Sequence, residues 1–211
     1  MNPHFIFNSL TAIQNYIYSH KTKLAGEFLS DFARLIRLIL DNSRHEFIML
    51  DKEIETLRLY MQLQALRFDN SFDFSIEVDP DIIPEITYVP PMLAQPFLEN
   101  AIEHGISKSK RRGVVKIRYI QLEKTIRFEI VDNGVGLTAS SEKKNGEPIH
   151  HESLSINICK ERLLLLHKRN RTHINFSIRE IENSGRIEGT QVIFDIPTIE
   201  RNRYPDKEHK V

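Results

Sequence analysis

As far as Arg67 the apolar residues of this chain recur at helical spacing, and from Phe72 onward they fall at every second position. A helix returns to one face about every 3.6 residues and a strand at every second residue, so the two stretches cannot belong to one kind of layer. Helices followed by a sheet is the reading, an α+β fold.

The helical part divides at a polar turn, residues 19–23. Before it, Phe7, Leu10, Ile13 and Ile17 mark a helix over residues 3–18; after it, Leu24, Phe28, Phe32, Leu35, Ile36, Ile39 and Leu40 mark another. The two form a helical hairpin whose wide apolar stripe needs more cover than the pair gives itself, which predicts a dimeric four-helix bundle over residues 1–49. A third helix is predicted over residues 50–67, with Asp51, Glu53 and Glu55 near its start, where negative charge suits the helix dipole. Alternating runs at Phe72 to Val78, Val115 to Tyr119, Ile126 to Ile130, Ile174 to Ile178 and Val192 to Ile196 predict about five strands. Helical stretches at residues 91–104 and 153–168 lie between them, so residues 50–200 read as a mixed sheet covered by helices on one face. Residues 137–152 are polar, contain Gly146 and Pro148, and make a connection of the length seen in functional lids and mobile loops. The charged tail, residues 201–211, is expected to fray.

Lys plus Arg total 29 and Asp plus Glu total 29, so no net field argues for direct nucleic-acid binding or for an anionic membrane surface. The run Lys108-Ser109-Lys110-Arg111-Arg112 reads as a solvated loop. The single cysteine, Cys159, cannot form an intrachain disulfide and reads as a core thiol in a reducing compartment. No run reaches the roughly 18 apolar residues of a membrane span, and no series resembles a signal peptide. The segment is expected to be soluble.

Two polar clusters interrupt the apolar pattern. Asp132-Asn133-Gly134-Val135-Gly136 ends a strand, with glycines that permit positive φ and close approach of a ligand to the backbone. A carboxylate there can accept a hydrogen bond from an exocyclic amine such as that of adenine. Read alone, Asp-Asn-Gly is also a common turn. Upstream lies Glu99-Asn100-Ala101-Ile102-Glu103-His104-Gly105; on a helix, Glu99 and Glu103 share a face, as do Asn100 and His104. Asn100 carries a neutral oxygen suited to a magnesium ion bridging phosphates, or is a buried, satisfied amide. Glu188-Gly189-Thr190 opens the last strand and is also compatible with a plain hairpin turn.

In order, Asn100, then Asp132 with Gly134 and Gly136, then Gly189-Thr190 resemble the N box, the first glycine box and the Gly-Thr pair of the Bergerat-type ATP-binding domain, shared by histidine kinases and gyrase-like ATPases. The resemblance implies an α/β sandwich of mixed sheet and helices that binds ATP and Mg2+. It implies that Asn100 holds the metal, and that Asn100, His104, Asp132, Gly134, Gly136, Gly189 and Thr190 line the nucleotide site. In many relatives the lid ends in Gly-x-Gly before a helix that closes on Arg-Leu. Alignment on Arg162-Leu163 makes Arg162 a site residue and puts Ser153 and Ser155 where those glycines stand. A helix N-terminus with two hydroxyls still offers donors to an anion. Lys143, Lys144, His150 and His151 are either auxiliary contacts or solvated loop residues.

At the front, Asn2-Pro3-His4-Phe5-Ile6-Phe7-Asn8 places Pro3 in the first turn of a helix from which His4 projects. Without context such a histidine caps or packs. Together with Arg34-Leu35-Ile36-Arg37, Leu66-Arg67-Phe68, Pro90-Pro91-Met92-Leu93 and the Asn100 cluster, the motif resembles the LytS-type sensor histidine kinases over nearly the whole chain. That likeness implies that His4 is the phospho-acceptor, a neutral imidazole with an ordinary pKa of about 6.5 that attacks the γ-phosphate in line. Asn8, one turn on, orients the ring or a hydrolytic water. Phe5 stands where many histidine kinases carry an acidic residue, which leaves the proton acceptor unassigned. Glu99 is a catalytic candidate, but Pro96 occupies the position of the water-activating glutamate of gyrase-like ATPases, which argues against ATP hydrolysis as the main activity.

The likeness further implies a homodimer, an aspartate acceptor on a response regulator of the LytTR type, and a sensory, membrane-spanning region ahead of residue 1. The chain is then the cytoplasmic part of a bacterial inner-membrane sensor, and Met1 an internal residue. Two other readings fit parts of the pattern: a non-catalytic dimeric signalling scaffold with a degenerate ATP lid, and a Bergerat-type ATPase or protein-serine kinase.

Overall fold

Three helices open the computed structural model, which describes residues 3–123, 125–137, 143–144, 147–148, 154–170 and 175–197. Helix α1 (Pro3–Tyr18) and α2 (Thr22–Ser43) form the hairpin, and α3 (Leu50–Arg67) follows. The expected limits of α1 and α3 agree with those observed, because Pro3 at one start and acidic Asp51 and Glu53 at the other mark first turns locally. The hairpin's inner stripe is covered by α3. The Phe5 ring lies 5.1 Å from that of Tyr60 and 6.1 Å from that of Phe32, and the Tyr16 hydroxyl donates to the Leu66 carbonyl at 2.9 Å. Burying one such phenylalanine contributes about 1.5–3 kcal/mol. A single apolar cluster continues from Phe5 and Phe32 through α3 to the sheet, across the boundary expected at residue 49. The hairpin's outer face keeps Phe7, Leu10, Ile17, Leu29 and Leu40 exposed.

The five-stranded sheet comprises β2 (Phe72–Val78), β4 (Gly113–Gln121), β5 (Thr125–Asp132), β8 (Phe176–Asn183) and β9 (Arg186–Pro197), in the order β2-β4-β5-β9-β8. Only β2 and β4 run parallel; the other neighbours are antiparallel. One face carries Val115, Ile117, Tyr119, Ile126, Phe128, Ile130, Val192, Phe194 and Ile196, all buried. In register, Tyr119, Phe128 and Phe194 stack across three strands with successive ring centroids 4.8 Å apart. Phe97 of α4 (Gln95–Asn100) and Ile156, Cys159 and Leu163 of α5 (Leu154–Asn170) complete the layer. The opposite face is a charge ladder, with Arg118 paired to Glu129 at 2.5 Å and Arg127 to Asp195 at 2.9 Å. Cross-strand pairs of opposite charge support the register that also buries the apolar face.

Several sequence expectations are corrected. The helix expected from residue 91 starts at Gln95, because Pro91 to Ala94 form a turn in which Met92 has φ +62°. After Asn100 it widens into a π-helical turn, Ala101–Ile106, so residues four apart no longer return to one face: Glu99 is buried and Glu103 half-buried, while Asn100 is half-buried and His104 exposed. The next helix is described over Leu154–Asn170; Ser153, where it was expected to start, lies outside the described residues, as does Ile174 of the expected fourth strand. Short pairs went unforeseen. β1 (Ile48–Met49) bridges β3 (Tyr88–Val89), and β6 (Lys143–Lys144) pairs with β7 (Glu147–Pro148) inside the expected lid.

Met92 holds its left-handed conformation because the Glu53 carboxylate accepts its N–H at 3.0 and 3.2 Å, while Arg162 Nη1 donates to the neighbouring Pro91 carbonyl at 2.7 Å. Burial pushes the Glu53 carboxyl from 4.5 up to about 7, opposed by the Met92 bond and the Arg162 charge. The folded protein therefore holds this proton more tightly than the unfolded chain, so the carboxyl's contribution is complete below pH 4.5 and is lost as pH rises to about 7. Glu53→Gln keeps an oxygen for Met92 and removes the titration. Denaturant melts between pH 4.5 and 8 are expected to show the variant gaining on the parent by about 3 kcal/mol across that window; a constant difference would contradict the assignment.

Candidate functional site

Asp132 ends β5 in the middle of the sheet, paired with Val115 on one side and Thr190 on the other. Its carboxylate is buried, at 3% exposure, and needs donors. The Gly134 N–H supplies one at 2.8 Å, and the Thr190 N–H and hydroxyl supply others. Burial raises its pKa to about 6, against the lowering effects of those bonds and of the Arg111 charge. A carboxylate of this kind is an acceptor at neutral pH and loses that capacity in mild acid.

The turn after Asp132 is tied down by its neighbours. Asn133 accepts the Val114 N–H at 2.7 Å through its side-chain oxygen and donates to the Arg112 carbonyl at 3.0 Å. At Gly134 the chain touches the end of the π-helical turn so closely that a Cβ would stand 2.5 Å from the Gly105 carbonyl carbon, and Val135 N–H bonds to the Gly105 carbonyl at 3.2 Å. No larger residue fits at 134. Gly136 has φ +83°, and a Cβ on Gly189 would fall 1.8 Å from the Asp132 carbonyl oxygen. The π-helical turn is thereby seated on the glycine turn, with Gly105 against Asp132 and Gly134, and half-buried Asn100 is the residue just before that π-helical turn.

Beside α4, Gln95 Nε2 donates to Glu99 at 3.1 Å, and Arg67 pairs with Glu103 at 2.9 Å. A groove of about 470 Å³ runs between α1 and the π-helical turn, lined by Asn8, Thr11, Asn15, Arg67, Glu103 and His104. The structure thus unites two residues that the sequence placed in different roles, Asn8 and His104. His4 occupies the first turn of α1, but its side chain is outside the described residues, as are those of Ser155, Lys143 and Lys144. Ser153, His150 and His151 lie outside altogether. Arg162, expected among the nucleotide-site residues, donates to the Pro91 carbonyl.

Three residues of the site were not singled out from the sequence. Asn133 was read only as part of a turn, Arg67 only as part of a motif, and Arg111 as one of a solvated run. Arg111 donates from Nε to the Asn133 carbonyl at 2.9 Å and from Nη2 to the carbonyls of Gly134, at 3.4 Å, and Glu188. The Pro-free, strand-flanked position of Arg111 would have permitted such a role, but local charge alone did not separate it from Arg112, which pairs with Asp73 on β2 at 2.6 Å.

Among the described residues no group of three or more His, Cys, Asp or Glu side chains is arranged to hold a metal ion. Magnesium takes only one or two protein ligands when substrate phosphates supply others, and a single Asn100 oxygen is compatible with that mode.

A family model described as histidine kinase matches residues 1–72, the segment containing α1, α2 and α3. The sensor histidine kinase/phosphatase LytS of Staphylococcus aureus is 32% identical over 148 residues, 70% of this chain and 25% of its own length. The sensor protein LytS of Bacillus anthracis is 26% identical over 209 residues, 93% of this chain and 32% of its own length. The catalytic domain of the histidine kinase ThkA matches in structure with 17% identity and a TM-score of 0.47, covering 72% of this chain and 94% of that one. The chain spans roughly a quarter to a third of the length of these curated relatives. The family match covers helices α1 to α3, the first of which carries His4, and the relatives align with 70% and 93% of the chain, so this chain is similar to a stretch of the LytS-type sensor histidine kinases.

Proposed function

We propose that this chain is the catalytic core of a homodimeric sensor histidine kinase of a two-component system. It binds Mg-ATP in a Bergerat-type sandwich, phosphorylates itself on His4 and passes the phosphoryl group to an aspartate of a response regulator, of the LytTR type by family resemblance. The groove between α1 and the π-helical turn carries this reading, since Asn8, one turn beyond His4, there lines the same groove as Glu103 and His104 of the turn that continues from Asn100. The helix that bears the acceptor in this reading lies beside the element that continues from Asn100.

In this mechanism Asp132 accepts the exocyclic amine of adenine from a buried position, where competition from water is small. Asn100 carries the oxygen for a magnesium ion, whose charge balances that of the phosphates. The neutral His4 imidazole is nucleophilic near pH 7 and takes the γ-phosphoryl group in line, with ADP leaving. The Staphylococcus aureus relative is described as both kinase and phosphatase, and Asn8 is a polar side chain placed to orient water for the second activity.

The exposed stripe of Phe7, Leu10, Ile17, Leu29 and Leu40 supports the dimeric four-helix bundle, because apolar residues in that number along two adjacent helices favour cover. Among the described residues no helix is long and apolar enough to cross a membrane. The sensory membrane region is proposed to precede the segment, in keeping with the far greater length of the relatives.

Incubation with γ-labelled ATP and magnesium is expected to give acid-labile, base-stable label that His4→Gln abolishes. Full-length protein that binds ATP and dimerises yet takes no label would sink the kinase reading. Asp132→Asn is expected to weaken ATP binding roughly ten- to hundred-fold, the range of a charge-assisted hydrogen bond. In the parent, ATP affinity should fall as pH drops through about 6, where Asp132 takes up its proton, and calorimetric titrations of the variant should lack that fall. Leu40→Glu should convert the dimer to monomer in sedimentation equilibrium without lowering the melting temperature of the monomeric fold.

A further inference from the structure

We infer that Arg111 is the positioning residue of the base-reading corner: its guanidinium clamps the turn after β5 to the irregular start of β9 at Glu188, so that Asp132 is presented as a fixed acceptor that prefers adenine to guanine. The inference rests on the nucleotide reading above and deepens it. Arg111 donates to the carbonyls of Asn133 and Gly134 on the turn and to that of Glu188 on β9, residues 22, 23 and 77 positions away. A guanidinium presents its donors in a rigid planar fork, whereas an ammonium is a single point, so three carbonyls on two segments match arginine specifically.

The geometry around the clamp shows why one is needed. The Asn133 side chain is already committed to Val114 and Arg112, and Gly134 is pressed against Gly105, so the turn has no side chain left to hold its carbonyls. On β9, Glu188 sits where the pairing with β8 shifts register, and it leads into Gly189, which crosses the Asp132 carbonyl, and Thr190, which bonds to the Asp132 carboxylate. Both segments therefore run into groups that fix Asp132, and Arg111 bonds to both.

Its charge matters as well as its shape. Among the described residues Arg111 is the charged group acting on Asp132; Gly134 and Thr190 donate as neutral groups, and the adjoining Gly105 and Val115 carry no charge. An ionised Asp132 attracts the amine at position 6 of adenine and repels the carbonyl oxygen that guanine has there. Loss of the Arg111 charge favours the protonated carboxyl and erodes that discrimination.

The test uses the full chain, with magnesium and either ATP or GTP, titrated calorimetrically between pH 5 and 8 for the parent, Arg111→Met and Arg111→Lys, with thermal melts as a check on folding. Arg111→Met should weaken ATP binding about ten-fold and GTP binding far less, and should move the pH of half-maximal ATP affinity upward. Arg111→Lys should restore that pH midpoint, since it keeps the charge, but recover only part of the affinity, since it lacks the fork. A parent that prefers ATP, together with a folded Arg111→Met of unchanged preference and midpoint, overturns the inference alone. If Arg111→Met does not fold, an Arg111→Lys indistinguishable from the parent in ATP affinity overturns it. A folded parent that binds neither nucleotide overturns the nucleotide reading and this inference together.

Discussion

The carboxylate of Asp132, buried at the end of a central strand, accepts the N–H of Gly134 two residues ahead at 2.8 Å, and the bonds from Thr190 reach it from the neighbouring strand. A buried carboxylate costs several kcal/mol unless it is provided with donors, so its presence dictates what surrounds it. The turn must double back within two residues, which excludes side chains where Gly134 meets Gly105, and the last strand must approach the Asp132 carbonyl with a glycine. Those close contacts then seat the π-helical turn, through Gly105, against the same end of the sheet. One carboxylate thus sets the positions of the glycine turn, the last strand and the π-helical turn.

Glu53 performs a comparable task on the other side of α4. It holds the Met92 N–H, while Arg162 of α5 holds the carbonyl of Pro91, so α3, α5 and the turn before α4 converge on one short segment. A non-glycine residue with positive φ costs about 1–3 kcal/mol, and the two bonds with burial of Leu93, Ala94 and Phe97 offset it. Since α3 also packs against Phe5 and Tyr16, the start of α4 is coupled mechanically to the helix that carries His4.

How far these relations were legible depends on their range. Amphipathic α1 and α3 and the alternating strands declare themselves through spacing within a few residues, and Asp132, Gly134 and Gly189 through side-chain requirements that only a few residue types meet. The start of α4 was misread because residues 91–94 leave the helix on account of Glu53 and Arg162, which are distant in sequence. Arg111 and Arg112 are adjacent and chemically alike, yet one bridges the glycine turn and β9 and the other pairs with Asp73 on the sheet's edge. Their difference arises from the segments each can reach, and a local pattern contains no record of it. Arg162 was legible as a motif position, whereas its bond to the Pro91 carbonyl, 71 residues away, was not.

Helix α1 bears three demands at once, and its spacing separates them. Positions advance about 100° per residue around a helix. Phe5, Ser9 and Ile13 fall together on the buried face, Phe7, Leu10 and Ile17 on the exposed apolar face, and Asn8, Thr11 and Asn15 along the groove beside Glu103 and His104. Helix α1 thus presents its exposed apolar series and its groove series on different sides, so cover of Phe7, Leu10 and Ile17 and approach to the groove beside Glu103 and His104 come from different directions.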